Sequence, residues 1–460
     1  MPTRDPSASP SSSFGSDPTP TAGGGGVGDG GDDTGFRRQG RALSWPLTRL
    51  TGVIGCVLMI TGIAACRTFD PTPIEQVPFM ERAQTQVRNG VRVKVSVLSA
   101  EEAEAVFDVN LYKKKIQPVW LEITNETDQM LWFLPRSVDP EYHSAFEVAQ
   151  KSHWTWSKKA NLAKREFFFL NQIPYDLPPR ETVSGFVYGS RNIGVRWVAV
   201  TVIGERSAES FEFIAEIPGF KADYHKRADS ETISEADRVD LDADRLLEWI
   251  DKQPAFVTNK DGTRTGDPLN LVIIGENEAV WPAFLRMGWD PTAAMTTGSA
   301  VKTGVFGIFG GAYRYAPISN LYVYGRPQDI ALQRVRNNIH YRNHLRLWQA
   351  QVTFEGRPVF IGQISRDIGS RFTSKSSTLT THRIDPDVDE TRASLIQDFV
   401  FAQALAVFGY AGGVGEIPVE TPRGNLTGDP FFTDGRRAVM VLSEEPVSIK
   451  EIGYFPWHAE

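Results

Sequence analysis

Two segments that look like the strands of a hairpin carry arginine, histidine and aspartate side chains that could form one site. Taking Glu355-Gly356 as a two-residue turn sets Leu347 opposite Ile364 and His344 opposite Asp367. A longer turn would shift the pairing by one residue and turn every side chain to the other face, so apolar matching favours the two-residue turn. The hairpin therefore predicts one polar face, made of Arg342, His344, Arg346, Trp348 and Asp367.

These residue types suit two kinds of chemistry. Guanidinium groups bind carboxylates and phosphates, so Arg326, Arg342 and Arg346, with Trp348 beside them, are candidate ligand-binding residues. An imidazole oriented by a carboxylate can act as a general base, which makes His344 and Asp367 candidate catalytic residues. A histidine that is simply satisfied within the core is the alternative interpretation.

A second polar segment precedes a predicted helix. Asp385, Asp387 and Asp389 alternate along it, with His382 just before. Carboxylates and an imidazole at this spacing could hold a divalent metal ion, and His382 would then belong to the catalytic set. The favoured alternative is a capping-box variant, with Asp387 as the N-cap and Glu390 three residues later.

An apolar stretch of 13 residues, 53–65, ends at Cys66. A membrane-spanning helix needs about 20 apolar residues, whereas the apolar part of an export signal has about 7–15. The small residues before Cys66 resemble a bacterial lipobox. We therefore expect a signal peptide and a lipoprotein anchored to the membrane through Cys66, on the exported side of the cell envelope. A spanning helix from Leu43 is the alternative, and Pro46 and Arg49 make it a poor one.

Composition limits the function classes. The 460 residues include 49 basic and 56 acidic ones, giving a net charge of −7, which argues against nucleic acid as a partner. The chain's two cysteines, Cys56 and Cys66, both lie in or at the end of the apolar stretch, so no disulfide or cysteine-ligated zinc is expected after it. Residues 2–35 have a disordered composition. A signal peptide begins with a short basic region, yet 40 or more residues precede this apolar stretch, so we expect a start codon downstream of residue 1. A disordered cytoplasmic tail is the alternative.

The element pattern predicts an α+β fold. Residues 91–97 alternate like a strand, a further strand is expected over 321–326, and a long helix over 388–408. The expected organisation is a disordered extension plus signal segment (1–66), a tether (67–90), an antiparallel β-sandwich (91–218) with an insertion (136–180), a charged connector containing a helix (219–266), a mixed α+β domain (267–445) and a tail (446–460).

Residues 267–443 resemble the LssY C-terminal domain family. The motifs that carry the resemblance are Pro268–Gly275, Gly288-Trp289, Pro317–Tyr322, Gly325–Asp329, Arg342–Trp348 and Thr381–Asp389. The resemblance implies a cell-envelope setting and a link to a type I secretion system component. It supplies no catalytic mechanism.

Two functions remain open at this stage. The first is a non-enzymatic envelope lipoprotein whose C-terminal domain binds an anionic ligand, such as a lipid headgroup, or a secretion or envelope protein. The second is a metal-dependent hydrolase of phosphate esters or envelope polymers, with His344 as the base and Asp385 and Asp387 as metal ligands.

Overall fold

The computed structural model describes residues 68–154, 157–192, 194–220, 238–293, 315, 317–336, 341–372 and 380–459, with the backbone alone for residues 370–372, 380–382 and 458–459. Residues 65–460 form one compact unit. Cys66 and the apolar stretch before it lie outside the described residues. In the described part of the chain, no helix combines the length and apolar character that crossing a membrane requires.

The N-terminal half is an antiparallel sandwich, as the strand pattern predicts. One sheet has the order β1-β2-β3-β6 and the other β5-β4-β7-β8. The strands are β1 (Gln84–Arg88), β2 (Val91–Val97), β3 (Ile116–Asn125), β4 (Leu131–Leu134), β5 (Asp176–Leu177), β6 (Thr182–Ser190), β7 (Val195–Ile203) and β8 (Ala208–Glu216). Alternate apolar side chains of both sheets, among them Val93, Leu121 and Val200, form the core between them.

Helices cover the outer face of the first sheet. They are α1 (Ala100–Phe107), α2 (Pro135–Val138), α3 (Ala145–Lys151) and α4 (Lys158–Leu170). A capping box starts α1, because the side chains of Ser99 and Glu102 each accept the other residue's backbone N–H. Aromatic side chains such as Phe107, Phe168 and Tyr188 fill this second core.

The segment expected to be a tether is folded. The β1 strand pairs with β2, and Phe79 is fully buried in the second core. The backbone N–H of Thr72 also donates to the carbonyl of Ala105 at 2.9 Å. The three prolines of residues 67–82 suggested an extended linker, but the buried side chains of Val77 and Phe79 hold the segment on the sandwich.

A large mixed sheet forms the C-terminal half. Its main order is β13-β16-β17-β18-β12-β23-β20-β24, with β9 beside β17 and β19 beside β18, while β10, β11, β14 and β15 make a small separate sheet. The strands and helices are β9 (Val239–Leu241), α5 (Ala243–Asp251), β10 (Phe256–Thr258), β11 (Thr265–Pro268), β12 (Leu271–Ile274), α6 (Asn277–Arg286), β13 (Asp290–Pro291), β14 (Tyr322–Val323), β15 (Arg326–Pro327), β16 (Ile330–Val335), β17 (Arg342–Phe354), β18 (Arg357–Phe372), β19 (Thr380–Ile384), α7 (Val388–Phe401), β20 (Leu405–Ala411), β21 (Arg423–Gly424), β22 (Pro430–Phe431), β23 (Arg437–Leu442) and β24 (Gly453–Tyr454).

Two apolar layers sandwich this sheet. On the first face, α6 and α7 pack on residues such as Leu345, Leu347 and Ile364. On the second face, α5 packs on Val352 and Val359 among others. The segments expected to be a connector and a tail therefore contribute directly to this sheet, since β9 and β24 both pair in it.

Two predicted elements differ from the structure. The helix expected over 388–408 ends at Phe401, Gln403 adopts a positive φ of 56°, and β20 follows at Leu405. The strand expected over 321–326 is a tight hairpin of β14 and β15, in which Tyr324 and Gly325 have φ values of 55° and 74°. Both changes of direction use left-handed backbone, which apolar periodicity does not reveal.

The β17–β18 hairpin has the expected turn but not the expected register along its whole length. Glu355 and Gly356 form the two-residue turn, with φ values of 51° and 78°. A bulge between Gln349 and Thr353 then shifts the pairing by two residues, so that His344 lies opposite Ser365 instead of Asp367. The shift is even, so each side chain keeps the predicted face.

Candidate functional site

The second face of the sheet changes from apolar to polar along β17 and β18. Ala350 and Val352 belong to the apolar layer under α5, and Trp348 lies in a small apolar cluster next to it. The side chains that follow on this face are polar and nine-tenths or more buried. They are Gln333, Arg342, His344, Arg346, Gln363 and Asp367, and we refer to them as the buried polar layer.

Asp367 holds two members of this layer together. Its Oδ2 lies 2.7 Å from Nε2 of His344 and accepts a hydrogen bond from Nε of Arg342 at 3.2 Å. Arg342 also donates to Oε1 of Gln333 at 2.8 Å. The predicted contact between His344 and Asp367 is thus confirmed, although they are diagonal neighbours rather than directly opposed residues.

His344 is neutral at physiological pH. Burial lowers the pKa of its imidazole from 6.5 to about 4, against the opposing effect of the Asp367 carboxylate. A neutral imidazole whose Nε2 faces a carboxylate carries its proton on Nε2, so Nδ1 is an acceptor. Among the described residues, Nδ1 has no hydrogen-bond partner.

Arg346 differs from Arg342 in its partners. Its Nε and Nη2 donate to the carbonyl oxygen of Ser319 at 3.3 and 3.1 Å, and its Nη1 donates to Oε1 of Gln363 at 3.0 Å. Among the described residues, no carboxylate forms an ion pair with its guanidinium, whose partners are these two oxygen atoms. Burial lowers the pKa of Arg346 to about 10, and the strongest opposing charge is that of Asp267.

Asp267 and Gln363 complete the surroundings of Arg346. Burial raises the pKa of Asp267, whose Oδ1 accepts a hydrogen bond from Asn425 at 3.0 Å. The amide nitrogen of Gln363 is buried and has no hydrogen-bond partner among the described residues. The site therefore contains a buried guanidinium, an unpaired donor on Gln363 and an unpaired acceptor on His344.

The structure does not bring Arg326 and Trp348 into this group. Arg326 is an ion-pair partner of Asp329 and donates to the carbonyl of Gln349 at 2.6 Å. The Trp348 side chain is fully buried, and its Nε1 donates to the carbonyl of Arg326 at 3.3 Å. Trp348 therefore packs in the core, and Arg326 holds the β14–β15 hairpin on the sheet.

The acidic segment before α7 is a helix cap. Oδ1 of Asp387 accepts the backbone N–H groups of Asp389 and Glu390 at 3.1 and 3.0 Å, and Oδ1 of Asp385 accepts that of Asp387 at 3.2 Å. In a complete capping box, the Glu390 carboxylate would accept the backbone N–H of Asp387. Here the Glu390 carboxylate pairs with Arg366 instead. The described backbone places His382 opposite Ser370 on β18.

A metal centre is not assembled by the described side chains. Within the ranges that the structure describes, no three His, Cys, Asp or Glu side chains form a group that could hold a metal ion. The side chain of His382 is outside those ranges, and so is Cys66, so the metal and lipid-attachment predictions for them remain predictions.

Sequence reasoning missed four contributors to the site. Gln333 and Gln363 lie opposite His344 and Arg346 in the register, so correct strand pairing would have found them. Asp267 comes from β11, in a different sheet, and no spacing in the sequence connects it to Arg346. The carbonyl of Ser319 leaves no sequence signal at all, because any residue could supply it.

Comparison with known proteins identifies the C-terminal part of the chain. A search of curated proteins gives no match. Residues 250–436 match the family model described as LssY C-terminus, a range that contains β10 to β22, α6 and α7 and all six members of the buried polar layer. This region of the chain, from residue 250 to residue 436, is therefore a member of the LssY C-terminus family.

Proposed function

We propose that this chain is a cell-envelope lipoprotein whose LssY C-terminus region binds a small anionic ligand at Arg346. The ligand would be a phosphate or carboxylate group, free or carried by a lipid headgroup or an envelope partner. Arg342 and His344 would form the wall of the same site. In this role the protein binds the ligand without cleaving it.

The buried guanidinium of Arg346 carries this proposal. Removing a charge from water costs several kcal/mol unless an opposite charge and hydrogen bonds compensate it. Arg342 has such compensation from Asp367, whereas the Arg346 guanidinium donates its hydrogen bonds to one carbonyl oxygen and one amide oxygen. Asp267 and Asp367 oppose this charge without forming an ion pair with it. An anion bound beside Arg346 would supply a charge in direct contact, and the free amide of Gln363 would donate to it.

The hydrogen bond between His344 and Asp367 favours a hydrolase as a second candidate. In that case Nδ1 of His344 would accept a proton from water or from a hydroxyl group. A general base works best when its pKa is near the working pH, and burial brings the pKa of His344 down to about 4. Binding therefore fits the electrostatics of the site better than catalysis.

The location outside the cytoplasm is inferred from the sequence. The 13-residue apolar stretch before Cys66 has the length of an export signal. Folded structure begins soon after it, since Thr72 is already bonded to Ala105. An acyl anchor on Cys66 would thus hold the sandwich close to the membrane surface.

Ligand binding can be tested by calorimetric titration of residues 67–460 with inorganic phosphate and with glycerol 3-phosphate. We expect both probes to bind, and we expect Arg346→Gln to weaken binding by about tenfold or more, because a charged hydrogen bond contributes roughly 1.5–3 kcal/mol. A preference for glycerol 3-phosphate would indicate a headgroup, and equal affinities would indicate the phosphate group alone.

Arg326→Gln is the matched control. This arginine is also partly buried, but its guanidinium is bound to Asp329 and Gln349, so its loss should leave probe affinity unchanged. Absence of binding by the unmodified protein, or equal losses in the two variants, would contradict the proposal. Release of phosphate from p-nitrophenyl phosphate that disappears in His344→Gln would favour the hydrolase.

A further inference from the structure

The insertion in the sandwich exposes large apolar side chains on two neighbouring helices. Phe146 on α3 and Leu162, Phe169 and Leu170 on α4 are 50%, 63%, 54% and 69% exposed. The rings of Phe146 and Phe169 are stacked, with centroids 5.4 Å apart, so the two helices share this surface. We call these four residues the apolar patch. Exposed apolar groups that cluster in this way mark interaction surfaces.

Basic side chains lie beside the apolar patch on α4, and the acidic residue of α3, Glu147, is paired with Lys151. Lys158, Lys159 and Arg165 are exposed on α4, and the guanidinium of Arg165 lies 5.4 Å from the centre of the Phe146 ring. The α4 helix carries a single acidic residue, Glu166. A helix with large apolar side chains among lysines and arginines has the chemistry of a segment that lies in the interface of an anionic bilayer.

The beginning of the described chain lies against the same helix. Phe69 packs edge-on against Phe167 of α4, with ring centroids 5.5 Å apart. Only two residues separate Cys66 from Phe69, and the three residue steps span roughly 10 Å at full extension. A lipid attached at Cys66 would therefore enter the membrane close to α4.

We propose that α3 and α4 form a membrane-docking surface, with the apolar patch inserted into the headgroup region of an anionic bilayer and the basic side chains against its phosphates. The proposal deepens the proposed function, because it assumes the exported, anchored location, but it does not depend on the anion site at Arg346. Docking would fix the orientation of the sandwich on the membrane.

A bilayer fits this surface better than a second copy of the chain. The same surface on two copies would bring the basic side chains of α4 together across a two-fold axis, and this like-charge repulsion opposes a symmetric dimer. Anionic headgroups instead complement the charge, and each basic group near such a surface contributes about 1 kcal/mol.

Vesicle sedimentation of residues 67–460 tests the proposal without acylation. This fragment is suitable because Ala65–Glu460 is a compact unit with its own cores. We expect binding to phosphatidylcholine vesicles that contain about a quarter phosphatidylglycerol, and weaker binding to pure phosphatidylcholine or at high salt. Leu162→Ser with Phe169→Ser should lower the partition coefficient by about tenfold or more. Lys158→Glu with Lys159→Glu should remove the preference for anionic lipid.

Phe401→Ser is the matched control. Phe401 is 70% exposed, and it lies at the end of α7 on the large C-terminal sheet, whereas the apolar patch lies on the helices of the N-terminal sandwich. It should bind vesicles like the unmodified protein. Equal loss in the control, no binding by the unmodified fragment, or a dimer that disappears in the Leu162 and Phe169 variant would each overturn the docking surface. A full-length Cys66→Ser chain that still fractionates with membranes would instead count against the anchor.

Discussion

At the scale of single residues, Arg342 and Arg346 show that two neighbouring buried cations on one strand can be compensated by different kinds of partner. Both are buried on the second face of the sheet, and burial lowers the pKa of each. Asp367 forms an ion pair with Arg342, and this ion pair compensates the cost of burying the Arg342 charge. Arg346 has no such ion pair among the described residues, and this difference between the two arginines is the basis of the proposed anion site.

The buried imidazole of His344 predicts a pH dependence of stability. Its pKa is about 4 in the folded protein and 6.5 when unfolded, so between these values the unfolded chain binds more protons. Stability from this group is complete above pH 6.5 and is lost as the pH falls towards 4, by up to about 3 kcal/mol. Urea titrations of the protein and of His344→Gln from pH 4 to 7.5 should show a steeper acid loss in the unmodified protein.

Parallel slopes for the two proteins would show that folding does not lower the pKa of His344. Subtracting the variant's slope removes the contribution of the carboxylates, which both proteins share. The measurement thus reports directly on whether this imidazole is neutral beside Asp367.

At the scale of elements, the sequence indicates which residues share a face more reliably than which residues are partners. The alternation of polar and apolar residues along β17 placed Arg342, His344 and Arg346 together, and the structure confirms that face. The bulge near Gln349 was not visible in the sequence, because a shift of two residues preserves the alternation.

The end of α7 shows a different limit. Residues 402–408 continue the apolar content of the helix, so periodicity extended it to 408. In the structure the left-handed Gln403 ends it, and Leu405–Ala411 pairs with β23 instead. Pairing with a distant strand decides between helix and strand here, and a local pattern does not contain that information.

The start of α7 yields a second prediction. Asp387 accepts two backbone N–H groups of the first turn, and the side chain of Glu390 is already engaged by Arg366. Asp387→Ala should lower the free energy of unfolding by about 1 kcal/mol, the usual cost of losing an N-cap. Asp387→Asn should retain most of this stabilisation, because the amide oxygen of asparagine can accept the same two hydrogen bonds.

Chelation separates the cap from the metal interpretation. If Asp387 acts as a cap, EDTA leaves the melting temperature of the unmodified protein and of Asp387→Ala unchanged. If Asp387 acts as a metal ligand, EDTA lowers the melting temperature of the unmodified protein and has no effect on that of the variant.

At the scale of the whole molecule, the sandwich and the large sheet belong to one compact unit. Arg286, at the end of α6, forms an ion pair with Glu212 on β8 and donates to the carbonyl of Ala402 at 2.9 Å. One guanidinium thus connects the sandwich, α6 and the end of α7. Sequence patterns located both halves but contained no signal for this contact, because its partners are 74 and 116 residues away.

This connection predicts coupled unfolding of the two halves. Both side chains are largely buried, at 17% and 20% exposure, so the pair should contribute more than a surface ion pair does. A double-mutant cycle of Arg286→Met and Glu212→Gln should give a coupling energy of about 1–3 kcal/mol. Calorimetry should show one transition for the unmodified protein and a broadened or split transition for Arg286→Met, because that variant also loses the bond to Ala402. Additive single effects, together with an unchanged single transition, would mean that apolar packing alone joins the halves.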